Sequence, residues 1–370
     1  MKICVCCLLA SLSRIGRVRL RTWVAGLALL CGFSCAWAAE PIKIVMSPDH
    51  WTTTGPVDFV QHNGADAIEL KAGDYAKKIM SGQALLNDFT FHDGIIAYDV
   101  AATTSMGAGF SFRRHDENSY ELFYLRPRPK CAEAPDCIQY APQTHGVLLW
   151  DMFPQYQKPA PLKQGEWNHV KLVVSGRRMN VFINDEKVPS LKVGRLEGDS
   201  NDGGLMLMGP GIFANLTVTA GATEGLSGEP EQDSTAGDHR YVRSWQLAPF
   251  SKLAVDQVPS FSELPSATAG WKPLIAERSG LVNVSREYGL PLPREERKVV
   301  WLKTTIKSSK QQKKQVAFGW VREAWVFVNR QLVYADKNLY RWRTVPFFSR
   351  SIRAIMRLQL PSQTIFMVGD

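Results

Sequence analysis

The chain has 370 residues, of which 45% are hydrophobic and 21% are charged, and its formal net charge is +9. The basic excess lies at the two ends, because residues 39–340 carry 34 basic and 34 acidic side chains. A neutral body excludes the broad basic surface that nucleic-acid binding requires, so no nucleic-acid partner is expected.

The first 38 residues have the pattern of a secretory signal peptide. Basic residues precede an apolar run that ends in Ala36-Trp37-Ala38, a small-residue cleavage site. A transmembrane anchor is the alternative, although the run is a little short for one. We therefore expect a periplasmic or secreted protein with no membrane anchor after cleavage.

The cysteines agree with export. Five of the seven lie in the leader, and only Cys131 and Cys137 remain, in KCAEAPDC. An isolated pair in an exported chain predicts a disulfide that closes a small loop. Half of a metal site is the alternative, but the sequence offers no further cysteine to complete it.

Residues 39–222 are predicted to form an antiparallel β-sandwich. Short runs alternate apolar and polar residues at the period of a strand, with turn residues between them. Helical periodicity appears only briefly, around 75–86. The clearest predicted strands are 94–100, 109–113, 120–126, 169–176, 179–184 and 212–218.

A polar, glycine- and proline-bearing stretch at 223–242 predicts a linker, and residues 243–370 predict a second β-sandwich. Its strands are expected at 298–307, 315–320 and 324–334, with Asn329-Arg330 in a tight hairpin turn. The tail is atypical from about 343. A codon reading one base out of frame permits an ordinary continuation, so we hypothesise a frameshift near codon 343 that truncates this sandwich.

Two family resemblances follow. The segments GAGFSFRRHDENSYELFYLRP, GEWNHVKLVVSGRRMNVFIND and GPGIFANLTV resemble the concanavalin A-like lectin/glucanase jelly rolls of the LamG and DUF1080 type. The segments VVWLKTTI, VAFGW and VFVNRQLVYADKNLY are similar to galactose-binding-like jelly rolls. The resemblances imply two jelly rolls and a glycan or oligosaccharide partner, and some DUF1080 relatives hydrolyse 3-keto sugars.

Strand alternation around residues 109–126 gives the candidate site. If Phe123 and Leu125 face the core, then Tyr124 and Arg126 project from the other face, and Glu121 points inward, where it needs an arginine partner. The reversed facing is the alternative. The predicted ligand-binding residues are Arg113, Glu121, Tyr124, Arg126, Tyr140 and Trp150.

These residue types suit a sugar. Aromatic rings stack on the C–H surfaces of sugars, and planar guanidinium and amide groups donate to hydroxyls. The alternative is a solvated sheet face on which arginine packs against tyrosine.

Catalytic signatures are absent from the sequence. It lacks the serine-hydrolase, zinc-protease, phosphate-loop and dinucleotide motifs. Glycoside hydrolysis normally uses two facing carboxylates, and Glu121 is the only acid inside a predicted strand of the central sheet. No catalytic residue is therefore predicted. The leading hypothesis is non-catalytic carbohydrate binding; the alternatives are a hydrolase of the 3-keto-glycoside or glucanase kind and a structural adhesion module.

No cofactor is expected. Asp199, Asn201 and Asp202 resemble a calcium loop, but the glycine does not fall where that loop needs it. A polar turn is favoured over a calcium site.

Overall fold

The computed structural model of the chain describes residues 40–102, 104–105, 107–254, 256–289, 297–307, 312–338, 354–360 and 363–369. The predicted leader and the predicted frameshift lie outside these ranges. Within them, no helix is long and apolar enough to cross a bilayer.

The first half of the chain is built from strands joined by short turns, which confirms the all-β prediction. Single 3-10 turns occur at Pro48–His50, Tyr75–Lys77 and Pro154–Tyr156. The strands are β1 Ile42–Lys43, β2 Trp51–Thr54, β3 Val57–His62, β4 Ala65–Leu70, β5 Gln83–Leu86, β6 Gly94–Ala101, β7 Ala108–Asp116, β8 Ser119–Leu125, β9 Ile138–Thr144, β10 Val147–Leu148, β11 Gln157–Lys158, β12 Trp167–Ser175, β13 Arg178–Ile183, β14 Leu191–Val193, β15 Gly204–Met208 and β16 Gly211–Ala220.

The helical signal around 75–86 is wrong beyond one turn, because Gln83–Leu86 forms β5. That strand pairs with β2 and β15, so tertiary pairing overrides a weak local preference.

These strands form two antiparallel sheets. The first sheet has the order β14-β13-β12-β6-β16-β4-β3, with β1 paired to β16. The second sheet has the order β10-β9-β8-β7-β15-β5-β2, with β11 paired to β9.

The core between the sheets follows strand alternation. Ile96, Tyr98 and Val100 of β6 are buried, whereas the residues between them are half-buried. The Tyr98 ring of the first sheet stacks on Phe110 of the second sheet, with 4.7 Å between ring centroids. The two inner faces therefore make one packed layer, as a β-sandwich requires.

The second half is also rich in β-strands. It contains one short helix, α1 Val284–Tyr288, and 3-10 turns at Phe261–Glu263 and Arg278–Gly280. Its strands are β17 Ser244–Leu247, β18 Ser251–Leu253, β19 Lys272–Ile275, β20 Arg297–Ile306, β21 Gln312–Phe318, β22 Arg322–Val328, β23 Gln331–Asn338, β24 Ala354–Leu360 and β25 Gln363–Gly369.

A third sheet has the order β19-β17-β20-β25-β22-β23, with β18 paired to β20, and β21 pairs with β24. β25 lies between β20 and β22, so the atypical tail supplies a central strand of this sheet by backbone pairing. The predicted hairpin turn is confirmed: Asn329 and Arg330, with φ of 50° and 71°, separate β22 from β23.

Arg286 of α1 joins the two halves. Its Nε donates to Glu277 at 2.7 Å, and its Nη2 donates to the carbonyl of Glu197 in the first sandwich at 2.8 Å. Its Nη1 also pairs with Asp199, one of the three residues of the predicted polar turn. The Asp199 carboxylate therefore has a guanidinium partner.

Candidate functional site

The side of the second sheet that faces away from the core is the candidate site. Register fixes which residues share it, because Tyr124 lies opposite Gly109 on β7 and Gln139 on β9. Phe123 lies opposite Phe110 and Tyr140, and these three rings are fully buried. The predicted facing of β8 is therefore confirmed. We call the side of the second sheet that faces away from the core the outer face. Its residues are Ser111, Tyr120, Leu122, Tyr124, Gln139, Ala141, Gln143, Met206 and Met208.

Tyr124, Arg126 and Gln139 form a hydrogen-bonded cluster at one end of this face. The Tyr124 hydroxyl donates to Gln139 Oε1 at 2.6 Å, and Arg126 Nη2 donates to the same oxygen at 2.6 Å. The guanidinium carbon of Arg126 lies 4.9 Å from the centre of the Tyr124 ring. A phenol ring, a guanidinium and an amide are thus held in fixed relative positions.

The loop that follows β8 holds Arg126 in place. The Arg126 backbone N–H donates to the Cys137 carbonyl at 2.7 Å, and its Nε donates to the Asp136 carbonyl at 2.9 Å. The predicted Cys131–Cys137 disulfide is confirmed and closes this loop. Arg128 pairs with the buried Asp136 carboxylate, which ties the loop down further.

Two glycines make room beneath Tyr124. A Cβ on Gly107, whose φ is 98°, would meet the Tyr124 ring at 3.3 Å. A Cβ on Gly109 would meet Leu122 at 3.0 Å and Tyr124 Cβ at 3.6 Å. The sequence GAGF therefore lets the tyrosine lie close to the neighbouring strand.

Trp150 and Gln157 border the same cluster. Gln139 Nε2 donates to the Trp150 carbonyl, and Gln157 Nε2 donates to Gln139 Oε1 at 3.1 Å. Trp150 and Gln157 are both half-buried. Three of the predicted residues, Tyr124, Arg126 and Trp150, are thus brought together, and their ligand-binding role stays a prediction.

Tyr140 and Glu121 correct the predicted set, because both lie in the core. The Tyr140 hydroxyl donates to Glu121 Oε2 at 2.6 Å and accepts from the Glu197 backbone N–H at 2.5 Å. Burial raises the pKa of Glu121 to about 6, opposed by Tyr140, Arg177 and Arg113. Arg177 and Arg113 therefore favour the charged form of Glu121 from a distance, whereas its side-chain hydrogen-bond partner is Tyr140 and its Oε1 has no hydrogen-bond partner among the described residues. The carboxyl is buried, away from any ligand on the outer face.

The buried Glu121 carboxyl predicts a pH dependence of stability. Its pKa in the folded state, about 6, lies above its ordinary value of 4.5, so the folded chain binds more protons between these pH values. The contribution of Glu121 to stability therefore falls as pH rises through this window. Between about pH 4 and about pH 7, we expect Glu121→Gln to gain about 2 kcal/mol in unfolding free energy relative to the parent protein.

Urea unfolding of both proteins across this pH range measures the difference in their unfolding free energies. The contributions of ionisable groups that both proteins share cancel in this difference. Glu117→Gln, in the exposed hairpin turn, is the matched control and is expected to show no such trend. A pH-independent difference for Glu121→Gln would contradict the raised pKa.

Arg113 also corrects the predicted set. A β-bulge interrupts the pairing after Phe112, and Arg113 has a φ of 50°. The side chain is fully buried and donates to the His92 carbonyl at 2.9 Å and to Asp93 at 2.7 Å. The extra residue breaks the alternation, so Arg113 turns inward instead of lying beside Tyr124.

The same bulge brings Arg114, which sequence alternation missed, to the outer face. Arg114 lies opposite Gly204, which shares its side of β15 with Met206. Burial raises the pKa of Tyr120 to about 12, and the charge of Arg114 opposes this rise. Tyr120 donates to Gln143 at 2.8 Å. In the sequence, the only indication of Arg114 as a site residue was that two consecutive arginines follow Phe110-Ser111-Phe112.

The outer face is partly sheltered. Leu122 and Tyr120 retain 5% and 6% of their surface, whereas Arg114, Tyr124 and Gln143 are half-buried. A ligand would therefore contact the half-buried groups. Two clusters on this face each combine half-buried and buried side chains: the disulfide end (half-buried Tyr124 with buried Arg126 and Gln139) and the hairpin end (half-buried Arg114 and Gln143 with buried Tyr120).

A protein-family model matches less than half of the chain. Residues 47–216 match the 3-keto-alpha-glucoside-1,2-lyase-like domain family. This region runs from the residue before the first 3-10 turn into β16 and contains every strand of both sheets of the first sandwich except β1 and the end of β16. The concanavalin-like jelly roll predicted for this region is confirmed.

Solved structures with a similar fold include the carbohydrate binding module CBM66 from Bacillus subtilis, at 15% identity and a TM-score of 0.31, over 46% of this chain and 91% of that one. A second is domain 4 of AbnA, an extracellular arabinanase from Geobacillus stearothermophilus, in complex with arabinotriose. It has 14% identity and a TM-score of 0.31, over 47% and 83% of the two chains. At these identities and TM-scores, the likeness carries no conclusion about this chain. No curated protein sequence matches this chain.

Proposed function

We propose that the first sandwich binds a glycan without catalysis, through the outer face of its second sheet. The observation that carries the proposal is the disulfide end, where Arg126 stacks on Tyr124 and shares the Gln139 oxygen with it. The half-buried Tyr124 ring supplies area for stacking on a sugar, and the buried Arg126 and Gln139 fix the orientation of that ring.

The cluster is ordered before any ligand arrives. Arg126 is tied through its backbone N–H and its Nε to the disulfide-closed loop. Because Arg126 in turn contacts the ring and the hydroxyl of Tyr124, binding loses less side-chain entropy than it would with a mobile tyrosine. The family match to a domain named for an action on glucosides supports a sugar ligand.

We also infer that the protein is exported. The basic and apolar leader with its small-residue cleavage site supports this, and so does the disulfide. Recovery of the full-length precursor in the cytosolic fraction alone would contradict export.

Tyr124→Ala tests the binding site. We expect this substitution to lower affinity for any glycan bound on an array by about tenfold or more, because a central aromatic contact is lost. Phe182→Ala is the matched control, since Phe182 is a half-buried ring on the first sheet. Absence of binding to every glycan, or equal loss in both variants, would overturn the proposal.

A lyase or hydrolase acting on 3-keto-glucosides is the second candidate, and the family match favours it. Such chemistry needs a proton-transferring group. Asp151, next to Trp150, is half-buried, and its burial raises its pKa. Turnover of a 3-keto-α-glucoside that is lost in Asp151→Asn would favour this candidate over simple binding.

A further inference from the structure

The hairpin end of the outer face presents a positive charge. Arg114 lies opposite Gly204, on the side of the sheet that carries Met206 and Tyr120. Its neighbour Arg113 is neutralised by Asp93 inside the sandwich. The bulge thus separates two consecutive arginines into one buried ion pair and one outward guanidinium.

The Arg114 guanidinium has unused hydrogen-bonding capacity. Its buried Nε has no hydrogen-bond acceptor, and Arg114 forms no ion pair with any residue in the described ranges. Because no carboxylate of the described residues neutralises the half-buried Arg114 side chain, an anionic ligand would not have to displace one.

Acidic side chains are sparse around this face. Apart from Asp116 in the exposed hairpin turn, the described residues of β2, β5, β7, β8, β9 and β15 include one carboxylate, the inward Glu121. The polar outer-face groups are amides and hydroxyls, such as those of Gln143 and Ser111. Further acids lie in the adjoining turns: Glu117 in the hairpin turn, Asp151 beside Trp150, and Asp202, two residues before the Gly204 that lies opposite Arg114.

We propose that the hairpin end is a subsite for the anionic group of an acidic sugar, held by Arg114 beside Tyr120 and Gln143. This inference rests on the proposed glycan binding and specifies its substrate class. Tyr120 and Tyr124 lie four residues apart on β8, or about 13 Å. An oligosaccharide therefore contacts the disulfide end with one unit and places a charged unit at Arg114.

Titration calorimetry with uronate trimers and their methyl esters tests the subsite. The ester keeps the sugar and removes the charge. We expect the parent protein to bind at least one acid about tenfold more tightly than its ester, as one charge-assisted contact would give. In Arg114→Gln this ratio should fall to within about twofold, while ester binding is kept.

Arg178→Gln is the control, because Arg178 is a half-buried arginine on the first sheet. Titration with a sulfated oligosaccharide distinguishes the two possible anionic groups, a carboxylate and a sulfate ester. If the protein prefers the sulfated sugar but does not prefer the uronate over its ester, the subsite binds sulfate esters and a carboxylate ligand is overturned. Equal binding of acid and ester, or a ratio unchanged in Arg114→Gln, overturns the subsite while neutral-glycan binding through Tyr124 stands. If no sugar of any kind binds, both proposals fail.

Discussion

Arg113→Met is expected to lower the free energy of unfolding by about 3 kcal/mol, because it removes the ion-pair partner of the half-buried Asp93 and one of two positive charges near the buried Glu121. Arg113 is fully buried, donates to Asp93 at 2.7 Å and stabilises the charged form of Glu121. Methionine fills a similar volume with no charge, so the loss measured is chiefly electrostatic.

Arg114→Met is the matched control for this substitution. It removes the same group from the next residue, which is half-buried and has no ion pair within the described part of the chain. We expect a change within about 0.5 kcal/mol. Urea unfolding of both variants measures the two free-energy changes. A larger loss of unfolding free energy in Arg114→Met than in Arg113→Met would contradict the burial of Arg113 and the outward position of Arg114.

Removal of the disulfide in Cys131→Ser/Cys137→Ser is expected to lower the free energy of unfolding by about 2 kcal/mol, since the cysteines are 6 residues apart and close a short loop. A second effect follows from the contacts of the loop with Arg126. Because the Cys137 and Asp136 carbonyls hold Arg126, glycan affinity should also fall by about tenfold.

Hydrogen exchange at the Arg126 amide separates positioning from general stability. This N–H donates to Cys137, so its protection should fall more than that of the Tyr98 amide in the first sheet. The readout needs no ligand. Equal loss of protection at both amides would mean that the disulfide stabilises the fold without positioning Arg126.

Local sequence patterns determined most of the strand positions. Two hairpins were predictable, because their strands alternate strongly and turn residues join them. They are formed by residues 169–176 with 179–184 and by residues 109–113 with 120–126. Cys131 and Cys137 were predictable partners because no other cysteine follows the leader. The strand β5 was not predictable, since its four residues owe their conformation to pairing with β2 and β15.

The candidate site was only half predictable. The facing of Tyr124 follows from alternation on an uninterrupted strand, and the structure agrees. The facing of Arg113 could not be obtained in this way, because β7 has one extra residue relative to β15 and two relative to β8 in this region, which breaks the alternation. Tyr140 lies opposite Phe123 on β9, and only the register between those strands places it in the core.

The sequence by itself determined the all-β class, the paired cysteines and the side of β8 that faces the core, because these depend on periodicity and composition within short segments. Only the tertiary structure decided which arginine is buried and that Glu121 is matched by Arg113 and Tyr140. Those outcomes depend on a bulge and on strand register, which are set by pairing between segments distant in the chain.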